Sequence, residues 1–316
     1  MKIQSLHKKI YNLFSNFLVT INQAFVPDFD NNLLVSELRH NIKTGSVKNT
    51  RKRSKNTWED NVTQLEKFIS SHNPTDFLQS DVVRNTMFVG NTPFTFKEFG
   101  YLKSKNWNRW KKAVVETNVI PREPFILYPK TSGNSVHHAY HLAKFENSTK
   151  HNIENSDLIL EFGGGYGNMC RIIHNLNFNG KYIIFDLPPF SALQTFYLKT
   201  NNITAVFNDP KADSQVYCLS SIPKLRSVLK RFRGYKNKTF IATWSLSESP
   251  ISFRNKIITL LENFDFHLIA YQSSFSNIDN IEYFKTYQKK IRNHRWFQNE
   301  IKSIPNNFYL FGKPSK

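Results

Sequence analysis

The sequence predicts an α/β protein, with a mainly helical part over residues 1–150 and a doubly wound parallel sheet over residues 151–316. Three observations predict this class. Apolar residues near the N-terminus recur at three- and four-residue steps, as on one face of a helix. From residue 152, short apolar runs alternate with helix-like runs of about 10 to 15 residues. A cluster of four glycines follows the first of these apolar runs: Gly163, Gly164, Gly165 and Gly167.

The N-terminal part is predicted to consist of helices joined by loops. Apolar residues from Ile3 to Ile21 follow helical spacing with polar interruptions, which predicts an amphipathic helix that packs on its own domain or lies on a membrane surface. A basic segment at 43–55 resembles a patch that binds nucleic acid or anionic lipid, but a solvated loop is the favoured interpretation. Prolines and glycines punctuate residues 74–129, and the histidine-rich helix SVHHAYHLAKF (135–145) closes the part.

The C-terminal part reads as alternating strands and helices. The predicted strands are DLILEF, KYIIFDLP, QVYCLSS, KTFIATWS, FHLIAYQSS and NFYLFGK. The predicted helices are NMCRIIHNL, FSALQTFYLKT, IPKLRSVLKRF and FRNKIITLLENF. Because a helix that joins two strands of one sheet makes a parallel crossover, this alternation predicts a parallel sheet with helices on both faces.

The composition limits the classes of function. Lys and Arg number 43 against 24 Asp and Glu, a net charge of +19, which attracts nucleic acid, anionic lipid or acidic substrates. The same lysine content would follow from an AT-rich genome, so charge alone decides nothing. Cys170 and Cys218 lie far apart without metal-ligand spacing, which predicts no zinc site, no disulfide and a reducing, cytoplasmic location. No apolar run reaches the ~18 residues of a membrane span.

The glycine cluster excludes two common ligand motifs and fits a third. The P-loop motif requires a lysine that is absent here, and the dinucleotide motif requires a glycine where this chain has Asn168. The pattern that fits is acid-x-Gly-x-Gly-x-Gly, starting at Glu161. This pattern favours S-adenosylmethionine, because a carboxylate opposes the sulfonium and ammonium groups and the glycines allow close backbone approach. The next helix N-terminus offers N–H groups to the methionine carboxylate.

A second acid supports this interpretation. Asp186 ends the second predicted strand, 19 residues after Gly167 (186 − 167), and an acid about 20 residues on binds ribose hydroxyls in nucleotide sites of this kind. We therefore predict that Asp186 holds the ribose of the cofactor. Tyr166, within the glycine turn, and Leu187 are predicted to line the same site, and the overall pattern is that of a Rossmann-like domain.

Four segments carry a resemblance to a known family: LEFGGGYGNMCRIIHNL, YIIFDLPPFSALQTFYL, FIATWSLSESP and NFYLFGK. Over residues 152–313 the chain resembles the sugar O-methyltransferases associated with bacterial polysaccharide biosynthesis, which are similar to class I methyltransferases in general. The resemblance implies a Rossmann-like class I methyltransferase domain, S-adenosyl-L-methionine as cofactor and a sugar hydroxyl as acceptor. Relatives tend to carry an Asn-Tyr-x-Phe-Ser-Glu-like string where this chain has Thr243 to Glu248, a departure that leaves the acceptor open.

The acceptor is expected to bind at the loop after the fourth predicted strand. Methyl transfer to oxygen needs an oriented acceptor and a base for its proton. Glu248 is the first candidate base, and Trp244 and Ser245 are predicted to shape the acceptor pocket. His138 and His141 are the second candidates, since a histidine titrates near neutral pH. The histidines lack a nearby carboxylate at ligand spacing, so no metal is predicted.

The sequence favours one function and leaves two alternatives open. The first is a cytoplasmic methyltransferase acting on a sugar hydroxyl of a glycan or nucleotide-sugar precursor, whose phosphates the basic surface would attract. The second is an RNA methyltransferase, suggested by the net charge and by the 43–55 segment. The third is a non-catalytic scaffold that binds the cofactor. Peripheral membrane contact stays open, and the sequence does not indicate the oligomeric state.

Overall fold

A computed structural model describes residues 13, 17–20, 32–45, 57–117 and 119–315. Most of the predicted helix over 3–21, and residues 46–55 of the basic segment, lie outside this part of the chain. The chain divides into two compact units, Met1–Tyr140 and His141–Lys316. The predicted domain boundary after residue 150 stays a prediction.

The first unit is helical, as predicted. Its helices are α1 (Asn32–Gly45), α2 (Thr57–Ser71), α3 (Asp81–Thr86), α4 (Pro93–Ser104), α5 (Trp107–Val114) and the first part of α6 (Gly133–Thr149), with a 3-10 turn at Pro74–Gln79. Helix α4 begins at Pro93, directly after Thr92, which forms a reciprocal capping box with Thr95. The core of the first unit contains several aromatic residues. The ring centroids of Phe125 and Phe99 lie 5.3 Å apart, and Trp110 is buried.

The second unit contains an eight-stranded sheet. Its strands are β1 (Leu158–Phe162), β2 (Lys181–Phe185), β3 (Ala205–Phe207), β4 (Val216–Leu219), β5 (Lys238–Thr243), β6 (Phe266–Gln272), β9 (His294–Glu300) and β10 (Asn307–Pro314). Strands β7 (Ser274–Phe275) and β8 (Ile278–Asp279) form a separate small hairpin. The helices are α7 (Asn168–Asn175), α8 (Pro188–Thr200), α9 (Ile222–Arg231), α10 (Ile251–Ile258) and α11 (Asn280–Lys290).

The strand order is β3-β4-β2-β1-β5-β6-β10-β9, and the strands from β3 to β6 are parallel. Alternate residues of β1 contribute to different layers: Leu158 and Leu160 belong to a core with residues of α9, α10 and α11, while Glu161 faces the other layer. The strand order reverses direction between β1 and β5. This doubly wound, Rossmann-like arrangement confirms the predicted fold class, and ligands of such sheets bind at the reversal point.

Three features of the sheet differ from the sequence prediction. Strand β3 was missed because it has only three residues. Strand β9 was missed because its residues, HRWFQNE, are mostly exposed at the sheet edge and lack apolar alternation. Strand β10 runs antiparallel to both β6 and β9, since it follows β9 through a hairpin instead of a crossover helix. The fourth predicted strand, KTFIATWS, corresponds to β5 of the structure. The loop that is predicted to bind the acceptor therefore follows β5.

Among the residues that the structure describes, none of the helices combines the length and the apolar character that crossing a bilayer requires. Cys170 and Cys218 are both buried and free of disulfide bonds.

Candidate functional site

The glycine turn joins β1 to α7 at the reversal point of the sheet. Gly163, Gly165 and Gly167 have φ values of +74°, +58° and +98°, a region that residues with a Cβ rarely adopt. The Gly167 N–H donates to the Gly164 carbonyl at 2.9 Å and closes the turn. Helix α7 begins directly after Gly167, so its first N–H groups lie at the turn.

Glu161 lies beneath this turn. Its side chain is buried and accepts a hydrogen bond from the Tyr182 hydroxyl to Oε2 at 2.8 Å. A Cβ added to Gly164 would lie 3.1 Å from the same oxygen and 2.6 Å from the Ile184 side chain. The backbone of the turn therefore packs closely against the Glu161 side chain. Burial, assisted by the charge of Asp186, raises the pKa of Glu161 to about 7 although the Tyr182 hydrogen bond opposes the shift.

Asp186 follows β2, the neighbour of β1. Its Oδ1 accepts from the Leu187 backbone N–H and its Oδ2 from the Gln194 side-chain amide, both at 2.8 Å. Burial raises the pKa of Asp186 to about 7, while these donors and the N–H groups of Gly165 and Gly164 oppose the shift. The structure therefore brings Glu161, the glycine turn and Asp186 together, as their predicted common site requires.

Gln194, on α8, connects Asp186 to the turn. Its Nε2 donates both to Asp186 Oδ2 and to the Gly165 carbonyl, the latter at 2.9 Å. Both partners are acceptors, so the amide must present its nitrogen to them. Its Oε1 is consequently buried without a hydrogen-bond partner. A buried polar atom without a hydrogen bond lowers the stability of the folded protein. The two hydrogen bonds of the Gln194 amide nitrogen are therefore made although they leave the amide oxygen unpaired.

The loop after β5 contacts the glycine turn across the reversal point. The Ser245 hydroxyl donates to the Phe162 carbonyl at the end of β1. A Cβ added to Gly163 would lie only 2.2 Å from the Ser245 Cβ, so only glycine fits there. Ser245, predicted to bind the acceptor, thus lies directly against the predicted cofactor turn.

Trp244 precedes Ser245 in a strained backbone conformation. Its φ is +64°, an unfavourable value for a bulky residue. The indole N–H donates to Asn307 Oδ1 at 2.6 Å, and the backbone N–H donates to the Ala270 carbonyl at 2.7 Å. These contacts hold the loop in a conformation that the isolated sequence would not adopt. Strained residues of this kind concentrate at functional sites.

Arg254, buried on α10, holds the far side of the same loop. Its guanidinium donates to the carbonyls of Ser247 and Ser249, to the latter at 2.7 Å, and to Asn280 Oδ1 at 2.7 Å. The Ser247 hydroxyl in turn donates to Gln272 Oε1 at 2.7 Å. The loop over residues 244–249 is therefore fixed at both ends.

The three candidate bases occupy different positions. Glu248 is half-buried in the loop after β5, and its N–H donates to the Trp244 carbonyl at 3.1 Å. His141, at the start of the second unit, is buried, with Nδ1 2.6 Å from the Tyr309 hydroxyl and its ring edge-on to Trp244 at 5.5 Å. His138 is half-buried in the first unit. The structure thus brings Glu248 and His141 to the same loop.

The two remaining predicted cofactor residues differ in exposure. Tyr166 is buried, with its ring edge-on to Tyr197 at 5.0 Å. The Tyr197 hydroxyl accepts from the Arg171 Nε at 2.9 Å, which links the turn to α7 and α8. Leu187 is 40% exposed beside Asp186. Roles for both residues in the cofactor site stay predictions.

Burial disfavours the ionised forms of the two neighbouring carboxylates, Glu161 and Asp186. A bound cation would favour the charged state of Glu161 and Asp186, whereas a pyrophosphate at the turn would be repelled by the Glu161 carboxylate. Within the described residues, no group of three or more His, Cys, Asp or Glu side chains is arranged to hold a metal ion.

Sequence reasoning did not assign roles to several residues of this site. Tyr182 is a polar residue on the inward face of an otherwise apolar strand, which is a usable signal. Gln194 lies two helical turns after Asp186, and Arg254 is a cation on the buried side of α10, but neither position identifies its partner. Asn307 is separated from Trp244 by 63 residues, so only the folded chain reveals that contact.

Comparison with known proteins gives similarities to solved structures only. No family model matches the sequence, and no curated protein matches it. Similar structures include the mitomycin 7-O-methyltransferase MmcR (9% identity, TM-score 0.38, 81% of this chain and 67% of that chain). An rRNA methylase from Escherichia coli (10%, 0.36, 88% and 99%) and PigF with SAH (11%, 0.35, 70% and 71%) are also similar. These identities and TM-scores are too low to support the fold assignment, which rests on the strand order of the sheet.

Proposed function

We propose that this protein is an S-adenosylmethionine-dependent O-methyltransferase whose acceptor is a sugar hydroxyl of a glycan or nucleotide-sugar precursor. The observation that supports the proposal is the pairing of the buried carboxylate of Glu161 with the half-buried carboxylate of Asp186 around a turn with three positive-φ glycines. This pairing suits a ligand with positive charge and a ribose, and it disfavours a phosphorylated one.

S-adenosylmethionine matches these groups in chemical type, and when bound it supplies an activated methyl group on a sulfonium. Glu161 would contribute negative potential beneath the turn, and Asp186 would accept hydrogen bonds from the ribose hydroxyls alongside its present donors. The N–H groups at the start of α7 would receive the carboxylate of the amino-acid portion. Tyr166 and Leu187 would provide apolar surface to the same ligand.

The acceptor would bind against the loop after β5, since Ser245 of this loop touches Gly163. Trp244 would provide an apolar surface for the sugar ring, and Ser245 would help to shape the pocket. Glu248 would remove the proton of the attacking hydroxyl, a contribution of about 10² to 10⁴ in rate. His141, in contact with Trp244, and His138 are the alternative bases. The sugar acceptor agrees with the sequence resemblance described above.

The first 150 residues would serve as an accessory domain for the substrate, and the cytoplasm is the proposed location. The net charge of +19 supports an acceptor that carries phosphate. The same charge also suits RNA, so RNA methylation is the second candidate.

Calorimetry with S-adenosylmethionine tests the cofactor, using Asp186→Ala and Gly165→Val as site variants. Binding should be lost or weakened at least tenfold in both, and equal binding by both variants would refute the site. Radioactive methyl transfer to a panel of sugar nucleotides tests the acceptor. In that assay Glu248→Gln should lose activity while it retains cofactor binding.

The remaining outcomes of the methyl-transfer assay separate the alternatives. Methyl incorporation into RNA, together with binding that weakens steeply with salt, would replace the sugar by RNA. Cofactor binding without turnover on either panel would favour the non-catalytic scaffold. Full activity of Glu248→Gln would exclude Glu248 as the base and turn attention to His141.

A further inference from the structure

The first unit carries an exposed apolar turn. Phe125 and Tyr128 pair as an isolated antiparallel bridge, and the Tyr128 N–H donates to the Phe125 carbonyl at 3.0 Å. The two residues at the tip, Ile126 and Leu127, are 48% and 54% exposed. Turn tips normally carry Gly, Pro, Asn, Asp or Ser, so two aliphatic residues in this place have no local structural reason.

The turn is held rigidly by residues around it. Asn91 Oδ1 accepts from the Ile126 N–H at 2.9 Å, and Asn91 Nδ2 donates to the Pro124 carbonyl at 3.0 Å. The Phe125 N–H donates to the Thr131 carbonyl at 2.8 Å. The aliphatic pair is therefore displayed by a fixed scaffold, and it does not fold back onto the core.

The charges around the turn are separated by sign. Among the described residues between 91 and 131, every exposed charged residue is a lysine: Lys97, Lys103, Lys105, Lys111, Lys112 and Lys130. The three acids of this range point inward. Glu98 meets His137 Nδ1 at 2.9 Å and Glu116 meets Arg122 Nε at 3.1 Å. Glu123 Oε1 accepts from Asn91 Nδ2 at 2.5 Å.

A chain of ring contacts connects the turn to these lysines. Tyr128 contacts Trp107 at 5.6 Å between centroids, and Trp107 contacts Phe99 at 5.1 Å. The Lys103 ammonium lies 5.8 Å from the centre of the Phe99 ring. Packed rings thus link the aliphatic turn to Lys103 of α4. The tip and the exposed lysines of residues 97–112 and 130 are called here the basic turn surface (residues 97–112 and 126–130).

We propose that the basic turn surface docks on an anionic phospholipid bilayer, with Ile126 and Leu127 entering the headgroup region and the lysines contacting lipid phosphates. Apolar side chains next to a cationic surface are what interfacial binding requires, and each lysine near an anionic bilayer adds attraction. Sequence-independent RNA binding instead relies on exposed aromatic rings for base stacking, whereas this tip is aliphatic. The proposal goes beyond methyl transfer and does not depend on it.

Cosedimentation of the full-length protein with vesicles tests the docking. One vesicle preparation is pure phosphatidylcholine, and the other contains one part phosphatidylglycerol to two parts phosphatidylcholine. Binding to the anionic vesicles should exceed binding to the neutral ones and should weaken as salt is added. The double variant Ile126→Ser/Leu127→Ser should bind the anionic vesicles about tenfold more weakly, because it removes the aliphatic area that leaves water.

Two variants complete the design. Lys111→Glu/Lys112→Glu should also weaken anionic binding, while Ile251→Ser, which alters a partly exposed isoleucine of the second unit, should bind like the parent. Unchanged thermal unfolding of each variant shows that folding is preserved. Equal binding of the Ile126→Ser/Leu127→Ser protein and the parent would overturn the proposal. So would salt-sensitive binding to single-stranded RNA with none to anionic vesicles. Calorimetry with S-adenosylmethionine reports separately on the proposed function.

Discussion

The side-chain amide of Gln194 lies 2.8 Å from Asp186 Oδ2 and simultaneously 2.9 Å from the carbonyl of Gly165. One side chain therefore fixes both the acid after β2 and the turn after β1. Gln194 itself is fully buried, so it acts on the site through these two partners.

Replacing Gln194 by leucine should weaken S-adenosylmethionine binding about tenfold or more. The change removes a donor to a carboxylate and leaves the Gly165 carbonyl unpaired, and hydrogen bonds to charged groups are worth about 1.5–3 kcal/mol. Calorimetry gives the dissociation constants. Gln215→Leu is the matched control, because the Gln215 amide donates to the Phe178 carbonyl before β2, at the opposite end of the strand from Asp186. Parent-like binding by Gln194→Leu would show that Asp186 needs no such support.

Gly163→Ala should lower the melting temperature markedly. An alanine at φ +74° costs about 1–2 kcal/mol, and its Cβ would collide with the Ser245 Cβ. The double variant Gly163→Ala/Ser245→Gly should recover the part of the loss that comes from the collision and retain the part that comes from φ. Thermal unfolding of the four proteins gives this coupling. Gly234→Ala, where an added Cβ meets nothing within 4 Å, is the control, and an equal loss there would contradict the packing argument.

Cofactor affinity should rise as pH increases through about 7. In the free protein the pKa values of Glu161 and Asp186 are both raised to about 7, so below that pH both carboxylates gain protons and attract a cation less. Because the two groups interact, the titration belongs to the pair. Calorimetry from pH 6 to pH 8 should show a shallower dependence in Glu161→Gln. A dependence identical to that of the parent would remove Glu161 from the electrostatics of the site.

The stability of the unliganded protein should change in the opposite direction. A carboxyl group with a raised folded-state pKa favours folding while it is protonated, below its unfolded pKa of about 4, and this contribution is lost as pH rises through about 7. Chemical denaturation of parent and Glu161→Gln at pH 5 and pH 8 measures the difference. The parent should lose more stability than the variant between these values, and an equal loss would show that the Glu161 carboxyl is not destabilised by burial.

Arg254→Met should reduce methyl transfer at least tenfold while cofactor binding stays close to that of the parent. The arginine holds the loop over residues 244–249 through hydrogen bonds to the carbonyls of Ser247 and Ser249, and its remaining hydrogen bond goes to Asn280. Arg254→Lys should restore part of the activity, since a lysine keeps the charge and one donor. Arg226→Met, at an exposed position of α9, is the control. Loss of cofactor binding together with activity would indicate general disruption instead.

Local patterns were sufficient to predict much of this architecture. The strands that hold the site, β1, β2 and β5, are short, almost entirely buried apolar runs bounded by turn residues, so their positions followed from the sequence. The glycine turn was equally clear, because glycine adopts positive φ without strain and a cluster of four glycines after an apolar run therefore indicates such a turn. Strand β9 was not predicted, because an edge strand needs no apolar alternation and its pairing with β10 is not visible in the local sequence.

The sequence by itself determined the doubly wound class, the glycine turn and the two acids, because these follow from periodicity and from backbone sterics within a few residues. Only the tertiary structure decided that Tyr182 caps Glu161, that Gln194 joins Asp186 to Gly165, and that Ser245 leaves no room for a Cβ at Gly163. Those contacts join residues 8 to 82 positions apart (194 − 186 and 245 − 163), and their geometry depends on strand order and register. No local pattern carries that information, since the partners become neighbours only when the sheet has formed.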